Sequence, residues 1–86
     1  MKGVKIYTTP YCPFCVRAKR LLERKGVAYE EIDVAGDDEA RILLAERTGR
    51  RTVPQIFIGD DHVGGSDDLH ALEEQGKLDA MLREAQ

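Results

Sequence analysis

Two cysteines, Cys12 and Cys15, stand two residues apart in Tyr11-Cys12-Pro13-Phe14-Cys15, and the chain has no others. Just before them, Val4-Lys5-Ile6-Tyr7-Thr8 has the composition of a short strand. Just after them, Pro13 to Lys25 has the spacing of an amphipathic helix. A Cys-x-x-Cys at such a junction restricts the fold more than any other feature of the chain. It seats the first cysteine at a helix N-terminus and the second about one turn deeper. At that tip the unpaired N–H groups and the positive end of the helix dipole favour an anionic sulfur. Pro13 suits the first helical position, where an N–H would have no partner anyway. Cys12 is therefore the expected nucleophile and Cys15 the expected resolving thiol.

The rest of the chain builds around this junction. Phe14, Ala18, Leu21 and Leu22 lie at the spacing of a buried stripe, and Gly26 stops the helix. Tyr29 to Val34 reads as a second strand with Ile32 and Val34 on one side. Strand, helix and strand in this span make a βαβ unit with parallel strands and a right-handed crossover. Asp37 and Asp38 open a second helix, whose Ala40, Leu43, Leu44 and Arg47 fit one face and which Gly49 ends. Val53 to Ile58 is a strand with a proline at its head. Gly59-Asp60-Asp61 is turn chemistry, and His62-Val63-Gly64 is the antiparallel partner strand. Ser66 is the expected N-cap of a third helix, with Asp67 and Asp68 in its first turn, Leu69 and Leu72 as apolar positions and Gly76 at its end. Leu78, Met81 and Leu82 form the apolar face of a last helix that runs to about Glu84.

The order β-α-β-α-β-β-α-α implies an α/β fold of thioredoxin-like arrangement. Its expected form is a four-stranded mixed sheet, in the order 2-1-3-4, with helices on both faces. That order comes from handedness, packing and analogy. The 86 residues make one domain, residues 1–86, with a shallow core.

Composition narrows the chemistry. Thirteen basic and sixteen acidic residues leave a net charge of −3, which argues against a nucleic-acid partner. From Met1 to Leu22 there is no Asp or Glu, whereas Lys2, Lys5, Arg17, Lys19 and Arg20 are basic. The cysteines thus sit in the electropositive part of the chain, which suits a thiolate and an anionic substrate, although basic side chains on a helix commonly serve as a solvated face. No apolar run approaches membrane-spanning length, and Met1-Lys2-Gly3 enters a strand at once, without room for a signal peptide. A cytoplasmic location is the expectation. In that compartment two cysteines read as redox groups or metal ligands.

A thiolate that attacks a disulfide needs a second thiol within disulfide reach to release the product, and two residues across a first helical turn provide it. A second constellation is Thr52-Val53-Pro54. A proline at a strand head is either an ordinary strand start or a cis proline, and the latter turns the preceding backbone N–H and C=O outward for an extended peptide. A third is Gly64-Gly65-Ser66-Asp67-Asp68. Alone it reads as a helix cap with favourable acids. It also offers close backbone approach, N–H groups for a carboxylate, and Asp67 or Asp68 for an ammonium group.

Together Cys12-Pro13-Phe14-Cys15, Thr52-Val53-Pro54 and Gly64-Gly65-Ser66-Asp67-Asp68 resemble a dithiol glutaredoxin of the short bacterial glutaredoxin 3 type. Thr52-Val53-Pro54-Gln55-Ile56-Phe57-Ile58-Gly59 is a particularly specific match, and the resemblance covers nearly the whole chain. It implies a glutathione-dependent thiol–disulfide oxidoreductase that reduces protein disulfides and glutathione mixed disulfides through Cys12 and Cys15. Glutathione is then the electron donor, and no tightly bound cofactor or metal is expected. The implied glutathione contacts are Tyr11, Phe14, Thr52, Val53, Pro54, Gly65, Ser66, Asp67 and Asp68. In these, Val53 pairs with the tripeptide backbone, Ser66 and Asp67 at the helix start receive the γ-glutamyl carboxylate, and Asp67 or Asp68 lies near its amine. Phe14 stands where the family usually has tyrosine, so the apolar wall stays and the hydroxyl is lost. Thr9 stands where the family often has a lysine for the glycine carboxylate, a role that falls to Arg47 or Arg51. The implied partners are glutathione and disulfide-containing or glutathionylated proteins, with neither nucleic acid nor membrane, and the chain is expected to be a monomer.

Two alternatives belong to other classes. A redoxin served by thioredoxin reductase would use the same dithiol, but the chain has no tryptophan and lacks the Trp-Cys-Gly-Pro-Cys of a typical thioredoxin. A [2Fe–2S] carrier would need two thiolates from a dimer and two from glutathione. Two thiols cannot close a four-ligand zinc site, and His62 and His70 are not at compact ligand spacing; each reads as a surface or helix residue.

Overall fold

A computed structural model describes residues 3–85, so Lys2 of the basic N-terminal set lies outside the described residues. Eight elements follow one another: β1 (Val4–Thr8), α1 (Pro13–Arg24), β2 (Glu30–Asp33), α2 (Asp38–Thr48), β3 (Gln55–Ile58), β4 (Asp61–Gly64), α3 (Ser66–Glu74) and α4 (Leu78–Ala85). The sheet order is β2-β1-β3-β4, the expected 2-1-3-4. β1 pairs parallel with β2 and antiparallel with β3, and β3 pairs antiparallel with β4.

Alternation along the strands decides what each face carries. Val4 and Ile6 of β1 point into the main core with Ile56 and Ile58 of β3. Ala18, Leu21 and Leu22 of α1, Leu69 of α3 and Leu78, Leu82 and Ala85 of α4 cover that face. Phe57, between Ile56 and Ile58, points to the opposite face. There Arg47 of α2 lays its guanidinium 4.3 Å from the Phe57 ring centroid. All four residues of β3 are buried, as a strand covered on both faces must be. Lys25 just beyond α1 ties three helices together, with ion pairs to Glu73 of α3 at 2.6 Å and Asp79 of α4 at 3.0 Å.

Several sequence expectations need correction. Phe14 is half exposed and does not join the buried stripe of α1, whose inward positions are Cys15, Ala18, Leu21 and Leu22. The stripe starts one residue later because the first turn is pinned by Cys12 at the N-cap, which aims position 15 at the core. Leu43 also faces solvent. Ile42, Leu43 and Leu44 are consecutive and so point about 100° apart around a helix, and only Leu44 is buried. The N-cap of α3 is Gly65, and Ser66 is the first helical residue, 3% exposed. β2 ends at Asp33. Val34 stays buried beyond it and donates its N–H to Thr8 O at 2.9 Å. β3 begins at Gln55, because Pro54 has no N–H to give the ladder. β4 starts at Asp61, and a bulge between its pairings sets Phe57 opposite His62 and Ile56 opposite Gly64.

Candidate active site

Cys12 sits where β1 hands over to α1. Its backbone is extended, it is the N-cap of α1, and Pro13 begins the helix behind it. The Sγ accepts the N–H of Cys15 at 3.2 Å, so a sulfur serves here as serine or aspartate does at other helix starts. The first turn of α1 holds no acid. Tyr11 enters the turn in the left-handed region, with φ 63°, and its ring is fully exposed. Phe14 stands half exposed beside it, with the Arg17 guanidinium 6.0 Å from its ring centroid.

Cys15 is 1% exposed, and no disulfide joins the pair, so the dithiol form is in view. Burial pushes the Cys15 thiol up to about 12, reinforced by a hydrogen bond to Cys12. The Thr9 backbone and the Lys19 charge pull the other way. Lys19 is held in turn by Glu31 at 3.0 Å. Glu31 also accepts from the Thr8 hydroxyl at 2.8 Å, and that bond first, then the one from Lys19, keeps its carboxyl below the usual range.

The second constellation meets the first at the sulfur. The Val53–Pro54 peptide is cis, the second of the two readings the strand-head proline allowed. The Cys12 thiol points at Val53 O across 3.8 Å. The third constellation lies against the second. A Cβ at Gly65 would stand 3.5 Å from Pro54 O, so the start of α3 packs directly on the proline backbone.

At that start Asp68 is already committed. Its Oδ2 accepts from Arg50 at 2.7 Å and from the Gly65 N–H at 2.9 Å. Arg50 first and the Gly65 N–H second hold this carboxyl below the usual range. Asp67 is exposed. Gly64 makes the Asp68 contact possible. Its φ is +117°, and a Cβ there would stand 2.5 Å from Asp68 Oδ2.

Three residues of this region escaped the sequence reading. Arg50 pairs with Asp68; its only signal was its place in Arg50-Arg51 just ahead of Thr52-Val53-Pro54. Gln55 is wholly buried, a polar residue at the start of a buried strand. Arg41 of α2 lines a small cleft with Arg50, Arg51, Thr52 and Val53. Of the two arginines expected to replace the missing lysine, Arg47 is placed over Phe57, while Arg51 is in that cleft. His70 is turned back on its own helix, Nδ1 donating to Ser66 O at 2.8 Å. Among the described residues no three of His, Cys, Asp and Glu cluster as metal ligands.

A two-thiol helix tip on this four-stranded sheet defines a thiol oxidoreductase of thioredoxin-like fold. The comparisons with known proteins narrow the class. A glutaredoxin family model matches residues 4–63. The chain is 61% identical over 82 residues to a glutaredoxin of Pseudomonas aeruginosa, which covers 95% of this chain and 98% of that protein. It is 49% identical over 83 residues to Glutaredoxin 3 of Escherichia coli, covering 96% and 100%. The crystal structure of a buckwheat glutaredoxin–glutathione complex superposes with a TM-score of 0.93 at 35% identity, over 96% of this chain and 78% of that one. The chain belongs to the glutaredoxin family.

Proposed function

We propose that this glutaredoxin is a glutathione-dependent thiol–disulfide oxidoreductase, acting on glutathione mixed disulfides and protein disulfides. One observation carries the reading. The accessible Cys12 sulfur sits at a helix tip against the Val53 carbonyl, with a buried partner thiol directly behind it. The buckwheat relative was crystallised with glutathione, which supports the same ligand here.

With a glutathionylated protein, the Cys12 thiolate attacks the glutathione sulfur. A Cys12–glutathione disulfide forms and the protein thiolate leaves. A glutathione thiolate then attacks the glutathione sulfur of that adduct, releasing glutathione disulfide and restoring the Cys12 thiolate. With a protein disulfide, Cys12 is joined to one protein sulfur and the other leaves as thiolate. Cys15 loses its proton and attacks Cys12 Sγ, which closes the Cys12–Cys15 disulfide and frees the second protein thiol. Two glutathiones reduce it, the first giving the Cys12 adduct and the Cys15 thiol, the second glutathione disulfide. The Cys15 N–H that donates to Sγ is suited to hold a thiolate on Cys12.

In this reading the tripeptide lies between α1, the cis proline and the start of α3. Val53 pairs with its backbone, Thr52 and Pro54 form the floor, and Tyr11 and Phe14 form a wall. The first-turn N–H groups of Ser66 and Asp67 suit the γ-glutamyl carboxylate, while the Gly65 N–H is held by Asp68. Asp67 is the better acid for its amine, since Asp68 is already spent on Arg50. Arg51 and Arg41, beside Thr52 and Val53, suit the glycine carboxylate. The reading includes one domain, a cytoplasmic monomer, and no tightly bound cofactor. Among the described residues no helix is long and apolar enough to cross a membrane.

The deciding measurement is reduction of a small glutathione mixed disulfide, with glutathione and with thioredoxin reductase as rival electron sources. Turnover with glutathione is expected. Turnover with the reductase alone assigns the chain to the other redoxin class. Cys12→Ser abolishes all activity. Cys15→Ser keeps deglutathionylation and loses most reduction of protein disulfides; the reverse pattern would exchange the two roles.

A further inference from the structure

The Thr52–Val53 loop is held from behind by side chains that the proposed chemistry does not use. Pro54 cannot donate to the sheet, so the loop ahead of it is anchored outside the ladder. Gln55 supplies an anchor. Its Nε2 donates to Thr52 O at 2.9 Å and stands 3.3 Å from Thr52 Oγ1. Its Oε1 lies 2.7 Å from His62 Nε2.

The direction of these bonds follows from their chemistry. Only the –NH2 end of the amide can donate to the Thr52 carbonyl, so its oxygen end faces His62. Nε2 of His62 therefore carries the proton and donates it. The imidazolium would donate at the same nitrogen. The ring is steadied by Phe57, with centroids 5.1 Å apart at 37°. His62 itself is exposed, whereas Gln55 is wholly buried. A surface ring thus completes the hydrogen bonding of a buried amide, and that amide fixes the carbonyl next to Val53.

We propose that His62 is a positioning residue. Acting through Gln55, it holds Thr52 and Val53 in place at the Cys12 sulfur and so sets how tightly the loop receives the peptide part of glutathione. Without His62 the buried Gln55 oxygen loses its donor, the amide is free to turn, and the Thr52 carbonyl loses its fixed partner. The identity of the peptide rests on the proposed function; the clamp itself does not.

The test compares His62→Phe, which keeps a ring on Phe57 but removes the donor, with His62→Gln, which returns an N–H donor. Steady-state kinetics on the small glutathione mixed disulfide are paired with NMR of the Val53 backbone amide and the Gln55 side-chain amide. In His62→Phe, KM rises about five- to tenfold, the equivalent of one lost hydrogen bond, while kcat stays within about twofold. Both amide resonances move. His62→Gln recovers most of the KM. An unchanged KM in His62→Phe overturns the role, as does a fall in kcat alone, which reports only lost folded enzyme. A wild type without glutathione turnover defeats the functional reading instead. The resonances then decide the clamp, which is refuted if they stay unmoved in His62→Phe and upheld if they move.

Discussion

Cys15 sits one helical turn behind Cys12, yet the two sulfurs meet different surroundings. Cys15 is enclosed by the core, and its thiol is pushed up to about 12 from the ordinary 9.0. Its thiolate is therefore far scarcer at neutral pH than that of an ordinary cysteine. Iodoacetamide at neutral pH should therefore label Cys12 and leave Cys15 unlabelled, as read by peptide mass spectrometry. A product labelled mainly at Cys15 would contradict the assignment. Two of the causes that raise Cys15 come from Cys12, through its hydrogen bond and its charge. In the proposed mixed disulfide the Cys12 charge is gone, so the Cys15 thiol becomes easier to ionise at the proposed resolving step. Gly64 is the other single residue on which local geometry depends. Gly64→Ala puts a side chain into the φ +117° conformation and against the Asp68 carboxylate, which cannot withdraw without leaving Arg50 and the Gly65 N–H. A loss of about 1–3 kcal/mol in denaturant unfolding is expected.

At the scale of elements, α2 departs from what its sequence suggests, whereas α4 follows it. The leucine-rich stretch of α2 buries only Leu44, and Leu43 is 58% exposed. The short α4 puts Leu78 at 0% exposure and Leu82 at 2%. The reason is position: α4 closes the core face of the sheet together with α1 and α3, while α2 covers the other face largely through Leu44 and the stacked Arg47. Leu78→Ala should thus cost about 2–4 kcal/mol, from lost burial plus the cavity left behind. Leu43→Ala should stay within about 0.5 kcal/mol. Urea unfolding of the two variants checks both, and equal losses would mean that α2 packs more deeply than described.

Across the whole molecule, the titrating groups set a stability plateau. Glu31 and Asp68 have carboxyls held below their ordinary 4.5 and 3.8, and His62 lies below its ordinary 6.5. Burial comes first for His62, then the charge of Arg50. Stability from these groups is present above the ordinary values and is lost as the pH falls through the lowered ones. Cys15, Lys25 and Tyr29 lie above their ordinary 9.0, 10.5 and 10.0. Tyr29 is raised first by burial and then by its bond to Glu23, Lys25 by its bonds to Glu73 and then Asp79. Their stabilisation is complete below the ordinary values and is lost as the pH climbs through the raised ones. Denaturation midpoints should therefore be flat between about pH 6.5 and about pH 9 and fall on both sides. The alkaline decline should soften in Cys15→Ser, which removes the first of those groups to lose its proton on unfolding.

Much of this was legible in the chain alone, because local rules govern it. Strand alternation in Val4–Thr8, the glycine stops and the βαβ handedness point to the elements, while the 2-1-3-4 order needed packing and analogy as well and is seen in the sheet itself. A two-residue spacing at a strand–helix junction tells which sulfur stands at the helix tip, since the helix that follows it caps on the first cysteine. Contacts between distant segments are another matter. That Val53 O meets the Cys12 sulfur, that Asp68 is claimed by Arg50, that Phe14 faces solvent, and that His62 reaches a buried glutamine depend on how the sheet brings residues together from different parts of the chain. Such pairings are governed by tertiary packing, and no periodicity in the sequence records them.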